Sequence, residues 1–172
     1  TFGYSSSTLQ YLNISNNEFT GSVSLGGSVN LDVVKAVGNH LTSIAAKCDS
    51  ISVVMCGDNK INTLAFNSAK PSLRQVFAEN NALYSLNLAS ADQLQYVAVD
   101  NNKLTSVSLP AGKLYAFTCA NNKLTYGSLP SPSSVTNFVY APQEEELSIT
   151  KKLSSKYDAA NSKYIYYLLT CT

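Results

Sequence analysis

The sequence predicts one mostly β solenoid in which short strands from successive repeats stack as a parallel sheet. Three observations support this prediction. An apolar phrase that contains an asparagine recurs six times, these asparagines are 20 to 22 residues apart, and no segment shows the 3.6-residue period of a helix. So short a repeat leaves no room for a long return helix. We therefore expect short extended or 3-10 segments in the return half of each repeat.

The recurring phrase reads apolar, any two residues, apolar, any one, apolar, any two, asparagine, any one, apolar. Its first copy is Leu9, Leu12, Ile14, Asn17 and Phe19. The six asparagines, at successive distances of 22, 20, 22, 21 and 20 residues, are Asn17, Asn39, Asn59, Asn81, Asn102 and Asn122. A seventh copy starts at Val135 and carries Gln143 where the asparagine is expected. The spacing thus indicates about six to seven structural repeats.

Each position in the phrase has a physical role. Residues at period 2, such as Leu12 and Ile14, point to the same side of a short strand and are expected in the core. Stacked strands bury a continuous apolar column, and each buried aliphatic side chain contributes roughly 1.5–3 kcal/mol. The asparagine follows the strand, where backbone polar groups lose their ladder partners. Its carboxamide can bond to its own turn and the next one, so we interpret the six asparagines as a structural ladder.

The return half of the repeat and the ends of the sequence complete the predicted architecture. Apolar residues at period 2 in the return half predict a short extended piece, followed by turns at Pro71, Pro110 and Pro130. Residues 1–143 are assigned to the solenoid, with residues 1–8 as its N-terminal cap. Residues 144–172 match no repeat, so they form either a C-terminal cap or the start of a truncated following module.

Several phrases resemble a known class of repeat. LQYLNISNNEF, LQYVAVDNNKLTSVSLP and LYAFTCANNKLT are similar to bacterial leucine-rich repeats of the internalin-like type, with about 21 residues each, as in surface proteins of Bacteroidetes. The resemblance covers residues 9 to about 143. It implies a right-handed, curved leucine-rich-repeat solenoid with the parallel sheet on its concave side and the return segments on its convex side. It also implies an exported protein at the cell surface or outside the cell, and recognition through the concave sheet.

Composition and charge exclude several classes of function. The net charge is +1 and 13% of the residues are charged, so no strong field attracts the chain to nucleic acid. No apolar run approaches the roughly 18 residues of a membrane-spanning helix, so we expect no membrane insertion. The sequence contains neither a phosphate-binding glycine loop nor a Cys-x-x-Cys pair. We therefore expect no nucleotide, other cofactor or metal ion.

The four cysteines give no disulfide assignment. Cys56 and Cys119 occupy equivalent inward positions three repeats apart, which is about 14 Å at ~4.8 Å per strand. A disulfide needs Cα atoms within about 7 Å, so we interpret both residues as small buried apolar side chains. The pattern does not place Cys48, in a return loop, or Cys171, near the end of the sequence, well enough to pair either one.

A catalytic site has little support in the sequence, and we expect no enzyme. The single histidine, His40, takes a variable turn position that elsewhere holds residues such as Glu18 and Lys60, so we interpret it as exposed. Glu79 and Asp100 fall in the same slot of adjacent repeats and should be neighbours. Two close carboxylates can be solvated, hold a calcium ion weakly or share a proton in a hydrolase. We favour solvation.

The concave sheet is the predicted binding site, because the residues that alternate with the inward column face outward there. The predicted binding residues are Val33, Lys35, Val53, Met55, Gln75, Phe77, Glu79, Tyr96 and Asp100. Five of them are apolar or aromatic and lie on four consecutive repeats. Exposed apolar patches of this kind mark interaction sites, and aromatic and Met side chains suit a protein interface.

A non-enzymatic module that binds a protein ligand is therefore the favoured function. A glycan is a less favoured ligand, because only Tyr96 combines a flat ring with polar neighbours and the sequence has no Trp. The apolar patch could also serve packing within the polypeptide or self-association. The alternative from a different class is a structural spacer or stalk that carries other domains. A spacer tolerates charge at Met55 and Phe77, whereas a binding module does not.

Overall fold

The chain forms a β-solenoid in a computed structural model, which describes residues 2–3, 6–112, 114–129 and 134–144. The solenoid has about six turns, is mostly β and has parallel sheets, as the sequence predicts. No helix in the described ranges is long and apolar enough to cross a membrane. The predicted turn at Pro130, Cys171 and the C-terminal cap or module from residue 145 onward lie outside the described residues.

The regular elements of the described part of the chain are short strands and one 3-10 helix, joined by turns and loops. The strands are β1 (Phe2–Gly3), β2 (Tyr11–Asn13), β3 (Thr20–Ser24), β4 (Val33–Lys35), β5 (His40–Ala46), β6 (Val53–Met55), β7 (Thr63–Phe66), β8 (Gln75–Phe77), β9 (Ser85–Asn87), β10 (Tyr96–Ala98), β11 (Ser106–Ser108), β12 (Leu114–Thr118) and β13 (Val135–Val139). The 3-10 helix is Tyr126–Ser128. Successive strands through β11 alternate between two sides of the solenoid.

One strand from each repeat enters the sheet that the sequence predicts for the concave side. The order of this sheet is β13-β12-β10-β8-β6-β4-β2, and its described pairs are parallel. We call it the front sheet, and its solvent-facing side the front face. The register is kept from repeat to repeat, since Val34 is the Cα partner of Leu12 on one side and of Val54 on the other. Each side chain therefore lies beside its equivalent in the next repeat.

The return halves of the repeats are more regular than the short extended pieces that the sequence predicts. They form a four-stranded parallel sheet, β1-β3-β5-β7, and a two-stranded parallel sheet, β9-β11, which we call the back sheets. Gly21 has a φ of 77° and lies where the register of β3 and β5 shifts. A glycine suits this bulge because it adopts positive φ without steric cost.

The core lies between the front and back sheets. In each of the short front strands β4, β6, β8 and β10, the central residue is buried and its two neighbours are partly exposed. The largest fully buried side chains are Phe117, Leu25, Leu31, Leu41, Ile44, Ile61, Leu73, Leu83, Leu88, Leu104, Leu114 and Leu124. Phe19, the last apolar residue of the first phrase, is 41% exposed. Phe19 belongs to the first repeat, whose strand β2 is an edge of the front sheet.

The predicted ladder of asparagines runs along the turn that follows the front strands, and Asn102 shows its bonding pattern. Its Nδ2 donates to the carbonyls of Val99 at 3.0 Å and Asp100 at 3.2 Å, within its own turn. The same Nδ2 donates to the carbonyl of Ala78 in the preceding repeat at 2.9 Å. Its Oδ1 accepts the backbone N–H of Leu83, also in the preceding repeat, at 3.0 Å. The carboxamide thus replaces the backbone partners that the turn removes.

The ladder asparagines bond to a different neighbouring repeat from the one that the sequence predicts. Each carboxamide bonds to its own turn and to the preceding repeat, rather than to the next one. The asparagines that bond in this way are Asn39, Asn59, Asn81, Asn102 and Asn122. Asn17 is exposed, and its Nδ2 donates to the carbonyls of Ile14 and Ser15 in its own turn. The first asparagine is therefore the weakest rung.

The residues that immediately precede the ladder asparagines line up as a second ladder at the surface. These residues turn the chain out of the front sheet with a positive φ, which Asn, Asp and Gly tolerate best. They are Asn16, Gly38, Asp58, Asn80, Asn101 and Asn121. Asn121 donates to Asn101 at 2.7 Å and Asn101 to Asn80 at 2.8 Å. Asn80 donates to Asp58 at 2.7 Å, so four consecutive repeats are joined twice at the same turn.

Candidate binding face

The front face presents three columns of side chains, because outward positions alternate with the buried column along each strand. The first column is Tyr11, Val33, Val53, Gln75, Tyr96, Ala116 and Asn137. The second is Asn13, Lys35, Met55, Phe77, Ala98, Thr118 and Val139. Parallel backbone bonds extend the register past the strands into a third column, which includes Gly57, Glu79 and Asp100. The nine predicted binding residues all occupy these columns and are partly buried.

The middle of the front face is apolar. Met55 and Phe77 are Cα partners on β6 and β8, and Val33 and Val53 are Cα partners on β4 and β6. These four side chains therefore adjoin one another across three strands. Each is only partly buried, because its inner side packs along the sheet while its outer side faces solvent. A ligand that covers them removes further apolar area from water, at roughly 25 cal/mol per Å².

Two tyrosines stand at the edge of the face where the strands begin. The rings of Tyr96 and Tyr115 have centroids 5.1 Å apart and are tilted by 49°. Tyr115 is 54% exposed. The residue aligned with Tyr96 on the next strand is Ala116, whose small side chain leaves room for the neighbouring ring. Tyr115 is not among the predicted binding residues, because it lies one position before the outward column. The small residue beside Tyr96 is the signal that could have indicated it.

Carboxylates stand at the opposite edge, where the strands end. Glu79 lies over Gly57, such that a Cβ at position 57 would be 3.3 Å from Oε2 of Glu79. Burial raises the pKa of Glu79 above its ordinary value, although a hydrogen bond from its own backbone N–H lowers it. The nearby charges of Asp100 and Asp58 raise the pKa of Glu79 further. The predicted neighbourhood of Glu79 and Asp100 is therefore confirmed, and Asp58 joins them as a third carboxylate that the sequence analysis misses.

The two aspartates of this edge are held by hydrogen bonds. Asp100 accepts the backbone N–H of Ala120 at 2.7 Å and the hydroxyl of Thr118. Asp58 accepts the amide of Asn80 in the exposed ladder. Glu79 is left between them with its charge near both. Within the described ranges, no three His, Cys, Asp or Glu side chains are grouped so as to hold a metal ion.

The N-terminal end of the face is basic and aromatic. Nζ of Lys35 lies 5.7 Å from the ring centroid of Tyr11, a cation–π contact between adjacent strands. Tyr11 is half exposed. Along the strands, the front face therefore changes from tyrosines at one edge to carboxylates at the other, and the basic Lys35 lies toward its N-terminal end.

Reactive side chains elsewhere are either buried or apart from the face. Cys56 and Cys119 are fully buried free thiols, and burial raises the pKa of each to about 12. Cys48 is also a buried free thiol, and its Sγ donates to the carbonyl of Leu25 at 2.6 Å. His40 is exposed at the start of β5 in a back sheet, as predicted. The structure does not bring His40 together with Glu79.

Similarity to known proteins does not assign a family to the chain. No protein-family model, no curated protein and no solved structure matches the chain. The classification of the chain therefore depends on its parallel sheets, its repeat of about 21 residues and its asparagine ladder. The chain is a repeat β-solenoid with a mixed apolar and charged front face.

Proposed function

We propose that the chain is a non-enzymatic recognition module that binds a protein partner through the front face. The observation that carries the proposal is the apolar centre formed by Val33, Val53, Met55 and Phe77, which adjoin across three strands. Solvent-facing positions of a sheet are usually polar, so an apolar cluster at these positions favours contact with another molecule.

The rigidity of the solenoid supports this proposal. Two hydrogen-bonded ladders cross-link the turns at which the front strands end. A face held in this way keeps its side chains in place before a ligand arrives. Binding then costs less conformational entropy than it would on a mobile loop. A rigid, extended surface is also how repeat proteins generally contact large partners.

We further propose that the repeats are of the leucine-rich, internalin-like type and that the protein is exported to the cell surface or the extracellular space. The support for the repeat type is the agreement between the leucine phrase and the ladder, in which Asn39 to Asn122 occupy the asparagine positions of the phrase. The location rests on resemblance to bacterial surface proteins. A proteomic comparison of surface-shaved, secreted and cytoplasmic fractions tests it.

A glycan is a second candidate ligand, and one observation favours it. Tyr96 and Tyr115 form an aromatic pair with exposed ring surface beside Gln75, the Cα partner of Tyr96. Aromatic rings with polar groups nearby are suited to sugar rings, whose C–H faces are apolar and whose edges carry hydroxyls. The pair lies at one edge, whereas the apolar centre spans several strands, so we rank the protein partner first.

A capture experiment tests the proposal. The wild-type chain and a Met55→Glu, Phe77→Glu variant are used as baits against extracts of host-cell and bacterial surfaces. The matched control carries Ser85→Glu and Ser106→Glu, because these exposed residues are Cα partners in a back sheet, just as Met55 and Phe77 are in the front sheet. Circular dichroism and thermal unfolding check that all baits are folded.

The proposal predicts one or more proteins that the wild type and the back-sheet control retain and the front-face variant loses. Equal retention by all three baits, or none by any, would favour a spacer that carries other domains. A glycoprotein whose capture survives Met55→Glu, Phe77→Glu but is lost with Tyr96→Ala, Tyr115→Ala would favour the glycan ligand.

A further inference from the structure

Uncompensated negative charge borders the apolar centre of the front face. Glu79 follows Phe77 by two residues and Gly57 follows Met55 by two, so the Glu79 carboxylate over Gly57 lies next to both apolar side chains. Asp58 and Asp100 lie on either side of it in the stack of repeats. The ion pair formed between described residues is Lys123–Glu144, which leaves these three carboxylates without a basic partner in the described chain.

The local environment makes this charge costly. Glu79 is half-buried and is close to two like charges, both of which disfavour its ionised form. Asp100 and Asp58 have donors from Ala120, Thr118 and Asn80, but these donors are neutral. A cation placed against Glu79 would therefore gain more than it would at an isolated surface carboxylate. Displacing water from the adjoining apolar centre would lower the effective dielectric and strengthen that attraction.

We propose that the partner is a protein segment that presents a Lys or Arg side chain beside an apolar one. The apolar side chain packs on Met55 and Phe77, and the cation lies against Glu79 between Asp58 and Asp100. This inference rests on the proposed function and adds the chemistry of the partner to it. It also excludes anionic partners, because a phosphate or an acidic peptide would meet three carboxylates at this edge.

The geometry sets the spacing of the two side chains. Two residues of strand span about 6.6 Å, which is the distance between the backbone positions of the apolar centre and those of the carboxylate edge. In an extended segment that runs along a front strand, side chains two positions apart face the same way at this distance. The cation should therefore stand two residues from the apolar anchor. Arg is favoured over Lys, because its planar fork can bond two carboxylate oxygens at once.

A displayed library of random peptides provides the probe. Peptides are selected on the wild-type chain after removal of those that bind a Met55→Ser, Phe77→Ser variant, which removes the apolar side chains without adding negative charge that would itself retain basic peptides. The survivors are sequenced, and their affinities are measured for the wild type, for Glu79→Gln and for Asp58→Asn. The matched control is Asp92→Asn, which removes one carboxylate charge at an exposed position outside the front strands.

The inference predicts enrichment of Lys or Arg two positions from an aliphatic or aromatic residue. Affinity should fall on the order of tenfold with Glu79→Gln, and less with Asp58→Asn, since charge pairs that lose water on binding contribute strongly. Asp92→Asn should leave the affinity unchanged. Replacing the basic residue of the peptide by Met should lower its affinity for the wild type by a larger factor than its affinity for Glu79→Gln, as a double-mutant cycle requires of a direct pair.

Two results would overturn the inference in different ways. Peptides that need Met55 and Phe77 but carry no enriched basic residue, or that are insensitive to Glu79→Gln, contradict the basic partner and leave the protein-binding function standing. A selection that yields no peptide dependent on Met55 and Phe77 counts against both the basic partner and the proposed function.

Discussion

The Oε1 atom of Gln143 accepts the backbone N–H of Leu124 at 3.0 Å, the bond that an asparagine makes in each of the five preceding rungs. Nε2 of Gln143 donates to the carbonyls of Cys119, at 2.8 Å, and Tyr140. A glutamine therefore serves as the last rung of the ladder, although its side chain is one methylene longer. The ladder selects for a carboxamide at this point in the turn rather than for asparagine alone.

The ladder should be a major source of stability, and Asn102→Leu tests it. Leucine has a similar size but leaves the buried N–H of Leu83 without its partner. It also removes one of the two donors from each of three carbonyls, which belong to Ala78, Val99 and Asp100. An unpaired buried N–H costs about 1–3 kcal/mol and each lost hydrogen bond to a carbonyl about 0.5–1.5 kcal/mol, so we expect the free energy of unfolding to fall by about 3 kcal/mol. Urea unfolding followed by circular dichroism measures it.

Asn17→Leu is the control for this prediction. Asn17 is exposed and bonds within its own turn, so its replacement should cost about 1 kcal/mol or less. Equal losses for Asn17→Leu and Asn102→Leu would contradict the role that we assign to bonds between repeats.

Gly38 interrupts the exposed ladder. Of two substitutions at this position, the one with the larger side chain should be the less destabilising. Its φ is 66°, and a Cβ would lie 2.7 Å from Oδ1 of Asn16. Gly38→Ala should therefore destabilise the chain by about 1–2 kcal/mol. Gly38→Asn should cost less despite its larger side chain, because Asn tolerates this conformation and can bond to Asn16 as Asn101 bonds to Asn80. Thermal unfolding of both variants shows which one is more stable. A Gly38→Ala variant more stable than Gly38→Asn would contradict the prediction.

Glu79 should make the stability of the chain depend on pH. Its pKa is raised in the folded state, so the folded chain binds a proton more tightly than the unfolded chain does. The stabilisation by this proton is fully present below the unfolded pKa of about 4.3 and is lost as the pH rises through the folded pKa. At pH 7 Glu79→Gln should therefore be more stable than the wild type.

The advantage of Glu79→Gln should shrink as the pH is lowered and vanish once Glu79 is protonated. Urea unfolding at a series of pH values measures this difference in the free energy of unfolding between the two proteins. A constant difference between wild type and Glu79→Gln across the series would contradict the electrostatic account of this edge.

The sequence was sufficient to predict the fold and to predict which residues form the front face. The spacing of the asparagines defines the repeat, and the alternation around Val34, Val54 and Val76 assigns each neighbour to the outer column. Register follows because parallel strands from equal repeats align equivalent residues. These features depend on periodicity, which a single sequence displays directly.

Features that depend on local backbone conformation were not predicted. Adjacent asparagines such as Asn101 and Asn102 look alike in the sequence but have different roles, because the first has a positive φ and points to solvent. The sequence also does not show whether each carboxamide bonds to the preceding or the following repeat, since it can reach both. Tyr115 leans onto Tyr96 from outside the outward column, a contact set by side-chain packing rather than by period.

The most direct test of the central claim is site-specific photo-crosslinking. A benzoyl-phenylalanine replaces Phe77 on the front face in one protein and Ser85 on a back sheet in another. Both folded proteins are irradiated in the presence of the surface extracts, and the crosslinked products are identified by mass spectrometry. We predict discrete products from position 77 that are absent from position 85. The same products from both positions, or products from position 85 alone, would contradict recognition through the front face.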